Sequence, residues 1–138
     1  MIRSILLTAT AMLILITPVY AESGPEINEG IWEITTNIDM PGMPVAMPPT
    51  KHTQCISKED LIPQASAAEQ DCTMTSQNVS GNTVSWVMKC SSSAGTSRSS
   101  GEVTYSKNSF TGTFTTEIPQ AKMKMKGKMS GQRKGPCK

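Results

Sequence analysis

Two cysteines and the turn between them constrain this chain more than any other feature. Residues 72–90 read CTMTSQNV, then SGN, then TVSWVMKC. With Ser80, Gly81 and Asn82 as a three-residue loop, Val79 faces Thr83, and counting outward sets Cys72 opposite Cys90. The same count sets Met74 opposite Met88 and Ser76 opposite Trp86. All of these share one face, because strand side chains alternate with a period of two. Turn chemistry, apolar alternation and cysteine position agree on a β-hairpin stapled by a disulfide.

The first residues read as an address. Arg3 is followed by an apolar run over 5–16, a break at Pro18 and small residues up to Ala21. This is the pattern of a secretory signal peptide. The run is shorter than the roughly 20 apolar residues of a membrane-spanning helix. The expectation is a signal helix over 1–21, cleaved after Ala21. Residues 22–138 then form a single exported β domain, periplasmic and without a stable membrane anchor.

All four cysteines, Cys55, Cys72, Cys90 and Cys137, lie in the exported part. An even number in a small exported chain argues for disulfides. With Cys72–Cys90 given by the hairpin, Cys55–Cys137 remains. There is no C-x-x-C pair and only one histidine, which argues against zinc. The core is thin in aliphatic residues: past Ala21, Leu61 is the only leucine, and methionine is abundant instead. Such a domain should depend on its bridges.

Further strands follow from alternation. Over 30–40, Trp32, Ile34, Thr36 and Ile38 share one face, and Glu33, Thr35, Asn37 and Asp39 share the other. Residues 41–49 read PGMPVAMPP, which excludes helix and central strand. A short strand resumes over 50–56. Ser57 reads as a helix N-cap for one turn over 58–62, and 64–70 as a connector. The Ser/Gly-rich stretch 91–100 reads as a loop or the ends of two edge strands. Strands over 102–106 and 109–118 join at Lys107-Asn108, where Asn tolerates positive φ; this sets Tyr105 against Phe110 and Val103 against Gly112.

Residues 121–130, AKMKMKGKMS, alternate most sharply. Met123, Met125, Gly127 and Met129 point one way; Lys122, Lys124, Lys126 and Lys128 point the other. With Pro119-Gln120 as the turn and Ile118 opposite Ala121, Phe114 meets Met125 and Gly112 meets Gly127. The lysines would guard a sheet edge. The fold class is therefore all-β: an antiparallel meander of about six or seven strands, curved into a half-barrel or small open barrel and stapled by disulfides.

G-x-W-E at Gly30, Trp32 and Glu33, MPGMPVAMPP over 40–49, QCIS over 54–57, the cysteine hairpin with its Gly-Asn turn, and a terminal G-P-C over 135–137 occur together. In combination they resemble the exported bacterial family known as domain of unknown function 3617. The resemblance implies export in a Gram-negative bacterium and no established activity, so it assigns no functional residues.

Candidate sites come from side-chain chemistry. Trp32, Met74, Trp86, Met88, Phe110, Phe114, Met123, Met125 and Met129 would line one sheet face as an adaptable apolar pocket. That points to a non-enzymatic protein binding a hydrophobic or amphipathic envelope component. Met40, Met43, Met47 and His52 offer soft ligands suited to Cu(I), so a copper-binding protein is the alternative. Lys122, Lys124, Lys126 and Lys128 would present a basic face to an anionic envelope partner, or serve an interaction or inhibitor module. Export argues against nucleic acid. No nucleophile context accompanies the lone His52, which argues against an enzyme. No resident cofactor is expected, and nothing in the pattern bears on oligomeric state.

Overall fold

Alternation along each strand decides which face is buried. The computed structural model describes residues 24–42, 47–64, 71–93 and 95–138. The signal helix over 1–21, Met43 and most of the 64–70 connector lie outside these residues. Seven strands follow one another: β1 (Gly30–Asp39), β2 (Thr50–Ile56), β3 (Asp71–Ser80), β4 (Thr83–Ser92), β5 (Gly95–Ser106), β6 (Ser109–Ile118) and β7 (Met123–Gly135). They form one antiparallel sheet in the order β2-β1-β7-β6-β5-β4-β3. Strands β3 to β7 are a meander, and the β1–β2 hairpin joins it at β7. Edge strands β2 and β3 do not pair, so the sheet stays open. The fold is the expected all-β sheet.

The buried face carries Trp32, Ile34, Thr36, Val84, Trp86, Val103, Tyr105, Phe110, Phe114 and Met129. Ring contacts show how strongly it curls. Trp32 on β1 and Tyr105 on β5 are three strands apart, about 14 Å in a flat sheet. Their ring centroids are 6.0 Å apart, and Trp32 and Phe110 centroids 5.6 Å. Phe114 opposes Gly127 and Phe110 opposes Gly131, with each ring lying where a glycine Cβ would be. Missing side chains on β7 thus make room for aromatic rings of β6. That close approach draws the inner face together.

Two other segments cover this face. Residues 57–63 cross it and bury Leu61, Ile62 and Pro63. No helix forms over 58–62: Ser57 makes only a turn, its Oγ and carbonyl each accepting from Asp60 N at 3.2 Å. Pro63 limits propagation, and burying Leu61 and Ile62 on the sheet outweighs one turn of helix. Residues 24–29 strap one end. Lys107 N donates to Glu26 O, Asn28 N to Lys107 O, and Glu26 N to Asn82 Oδ1. The strap explains why Lys107, and not Asn108, takes the positive φ of 48° in the β5–β6 turn.

Several sequence expectations need correction. The cysteine hairpin turns on two residues, with Ser80 opposite Thr83 and Gly81 at φ 56°. A bulge between Met74 and Ser76 restores the register, so Cys72 still opposes Cys90 and Met74 opposes Met88. Trp86 faces Gln77, not Ser76. Thr75, the extra residue, donates its hydroxyl to Val87 O at 3.0 Å. Between β6 and β7 the register is two residues from the expected one. A 3-10 turn over Pro119–Ala121 and a left-handed Lys122 lengthen the loop, so Ile118 opposes Met123 and Gly112 opposes Met129. Residues 91–100 are mostly ends of β4 and β5, which are interior strands rather than edges. Strand β7 is interior as well, so its lysines guard no edge.

Both bridges have the expected pairing, Cys72–Cys90 and Cys55–Cys137. The first ties edge strand β3 to β4. The second ties β2 to the end of the chain.

Tyr105 joins the crossing segment to the sheet. Its hydroxyl donates to Leu61 O at 2.6 Å. Burial pushes the phenol well above the ordinary tyrosine range, and the Asp60 carboxylate acts in the same direction. Unfolded tyrosine ionises near pH 10. The stability tied to this raised pKa is therefore full below about pH 10 and is lost above it, by at most about 1.4 kcal/mol per pH unit. Urea midpoints should fall above that pH in the native sequence and more shallowly in Tyr105→Phe. At neutral pH the variant should lose about 1–3 kcal/mol, because the Leu61 carbonyl loses its donor. Equal alkaline slopes would rule out Tyr105 as the titrating group.

Candidate functional site

The residues expected to line a pocket divide in two. Trp32, Trp86, Phe110, Phe114 and Met129 are buried in the core. Met74, Met88, Met123 and Met125 gather at the sheet end where β1 finishes and β7 begins. Cross-strand pairing there gives one row: Met125 opposes Thr116, Thr116 opposes Ser99, Ser99 opposes Met88, and Met88 opposes Met74. Met123 and Ile118 form the next pair outward. Ile38 and Met88 pack against the core with part of their surface free. Met74 and Met123 are 41% and 40% exposed.

The middle of the row is polar. Ser99 Oγ and Thr116 Oγ1 are 3.0 Å apart and hydrogen-bonded. The floor is thus two methionine flanks around a hydroxyl pair. Neither residue stood out in the sequence. Ser99 sits in a stretch that reads as a loop, and Thr116 gains its meaning only from its partner on β5. The alternation of β5 with β6 was the available signal.

The opposite, outer face has two shallow depressions, of about 300 and 360 Å³, meeting at Glu102. Thr113 lines both. Their walls are mainly threonine, serine and glycine, without a cluster of titratable groups.

The lysines are on this outer face too, except Lys122, which caps the 3-10 turn. Acids from both neighbouring strands meet them. Lys124 Nζ lies 2.9 Å from Glu117 Oε1, and Lys126 opposes Asp39. Further along β7, Lys134 reaches Glu33 at 3.4 Å. Hydrogen bonding and charge from Lys124 hold the Glu117 carboxyl below its ordinary range, and Arg98 helps. The comb is one half of a mixed-charge face. Read along one strand, it looked unneutralised because its counter-charges come from β1 and β6.

His52 on β2 opposes Ile34, six residues before Met40, which follows the end of β1; that is about 20 Å of extended chain. Met47 is 43% exposed, and Met43 lies outside the described residues. Among the described residues no group of three or more His, Cys, Asp or Glu could hold a metal. His52 Nε2 is buried without a hydrogen-bond partner, as are Trp32 Nε1 and Thr36 Oγ1.

Residues 27–137 match the family model described as "Protein of unknown function (DUF3617)". The chain belongs to this family. The match takes in all seven strands and all four cysteines. No curated protein and no solved structure matches the chain.

Proposed function

We propose that this family member is a non-enzymatic periplasmic protein that binds an amphipathic envelope component at the methionine end of its inner sheet face. The observation that carries the reading is the row Met125, Thr116, Ser99, Met88 and Met74, half-open and apolar on both sides of a hydroxyl pair. Methionine side chains are flexible and polarisable, so they adapt to chains of varied shape. The hydroxyl pair offers hydrogen bonds to an ester or alcohol. Two disulfides and the signal-like residues 1–21 fit an oxidising, exported setting.

Copper binding has less support, since His52 lies opposite Ile34, six residues back along the chain from Met40. The outer lysines fit a charge-balanced solvated face better than an anionic docking surface, since carboxylates flank them.

Native mass spectrometry of protein purified from its own host tests the reading. Bound lipid without metal is the expected result. Stoichiometric copper that disappears on replacing Met40, Met47 and His52 would favour the alternative. A second check uses a fluorescent amphiphile. The double variant Met74→Asp/Met123→Asp should weaken its binding about tenfold, as charges enter an apolar contact. The fold should tolerate it, because both side chains are exposed. Unchanged binding would exclude the methionine end as the site.

A further inference from the structure

Trp32 Nε1, Thr36 Oγ1 and His52 Nε2, the buried polar atoms without a partner among the described residues, belong to one patch. His52 opposes Ile34 across β1 and β2, and Trp32 and Thr36 lie two residues either side of Ile34. Each is thus a diagonal neighbour of His52, about 7–8 Å away. Trp32 is 0% and Thr36 1% exposed. At position 36, packing alone would be as well served by Val. Buried polar groups are normally paired, so an unpaired Thr36 hydroxyl with an unpaired His52 nitrogen as its diagonal neighbour points to a ligand.

Their chemistry narrows it. An indole N–H only donates, whereas a hydroxyl and an imidazole nitrogen can donate or accept. The group they share must therefore present acceptor oxygens. Charge enters from the next strand. Arg133 is the register partner of Trp32 on β7, and its Nε donates to Glu29 O at 2.8 Å. No carboxylate among the described residues forms an ion pair with it. The Arg133 cation is thus available to balance an anionic head beside Trp32.

We propose that the inner face takes a single-chain amphiphile with a carboxylate head. The head lies between Thr36 and His52, with the Trp32 indole N–H and the Arg133 charge beyond. The chain runs along β1 and β7, past Ile38 and Met125, and reaches the methionine end. Thr36 is two residues deeper than Ile38 on the same strand face, so the polar patch is the inner end of that path and the methionines are its mouth. The assignment rests on the proposed function and adds to it the head group and its orientation.

The test titrates purified protein, with both disulfides formed, with palmitate, methyl palmitate and palmityl alcohol, each displacing a fluorescent amphiphile. Palmitate should bind about tenfold more tightly than its ester, the scale of one charge-assisted hydrogen bond. Thr36→Val removes the hydroxyl at nearly constant shape, and His52→Phe removes the ring nitrogens and keeps an aromatic ring of similar size. Each should bring palmitate down to the affinity of the ester without lowering the urea midpoint. Either variant suffices if the other does not fold. Equal binding of acid and ester, or an unchanged ratio in the variants, overturns the head-group assignment and leaves binding at the methionine end standing. Failure of all three probes to bind overturns both.

Discussion

Gly127→Ala together with Gly131→Ala is expected to remove most of the stability of this domain. Each glycine lies beneath a ring of β6, Phe114 over Gly127 and Phe110 over Gly131, and an added methyl would overlap ring carbons. The rings have little freedom to yield. Phe110 is 2% exposed, and its centroid lies 5.6 Å from that of Trp32 and 5.5 Å from that of Tyr105. Overpacking costs about 1–3 kcal/mol per site. The two sites are four residues apart on β7, about 13 Å, so their effects should roughly add, to about 2–6 kcal/mol. The upper end approaches the whole stability of a small domain. The reciprocal change, Phe110→Ala, opens a cavity and should cost about 3–5 kcal/mol. Combined with Gly131→Ala it should cost less than the two separately, because the methyl fills part of the space. Urea denaturation followed by tryptophan fluorescence measures each. A Gly131→Ala midpoint equal to that of the native sequence would mean that the ring does not occupy the glycine site.

The second large effect concerns the bridges, and their order is the informative result. Cys55–Cys137 spans 82 residues of sequence and Cys72–Cys90 spans 18. Constraint of the unfolded chain grows with the logarithm of the loop, which gives about 4.5 kcal/mol for the long bridge and about 3 kcal/mol for the short one. The long bridge also closes a circuit from β2 to the chain terminus. The short one joins strands already neighbours through a tight turn. Replacing Cys55 and Cys137 with serine should therefore destabilise more than replacing Cys72 and Cys90, and the fully reduced protein should be largely unfolded. The paired variants, compared by urea midpoint under non-reducing conditions, decide this. A reversed order would mean that the short bridge does more than restrict the unfolded chain, holding β3 on the sheet.

Much of the site's material was legible in the sequence, but its arrangement was not. Met74, Met88, Met123 and Met125 were identifiable from alternation along their own strands. That they form one rim with Ser99 and Thr116 between them depends on how β3 to β7 align. Met40 and His52 are close in sequence, but the β1–β2 register carries His52 back to Ile34.

Reading the sequence was enough for the all-β class, both disulfide pairings and which side of most strands is buried. These depend on local rules: a period of two, the residues that permit a turn, and parity between cysteines across a hairpin. It even yielded the correct pairing of Cys72 with Cys90 from an incorrect loop, because a two-residue turn plus one bulged residue restores the same register. The folded structure was needed to show that β1 inserts beside β7, making the lysine strand interior and supplying its counter-charges. It alone decided that Phe114 and Phe110 lie over glycines, and that Trp32, Thr36 and His52 leave unpaired polar atoms on the same sheet face. Each of these depends on contacts between strands distant in the chain, or on the two-residue register set by the β6–β7 loop, and a strand's own pattern reads the same whichever neighbour it acquires.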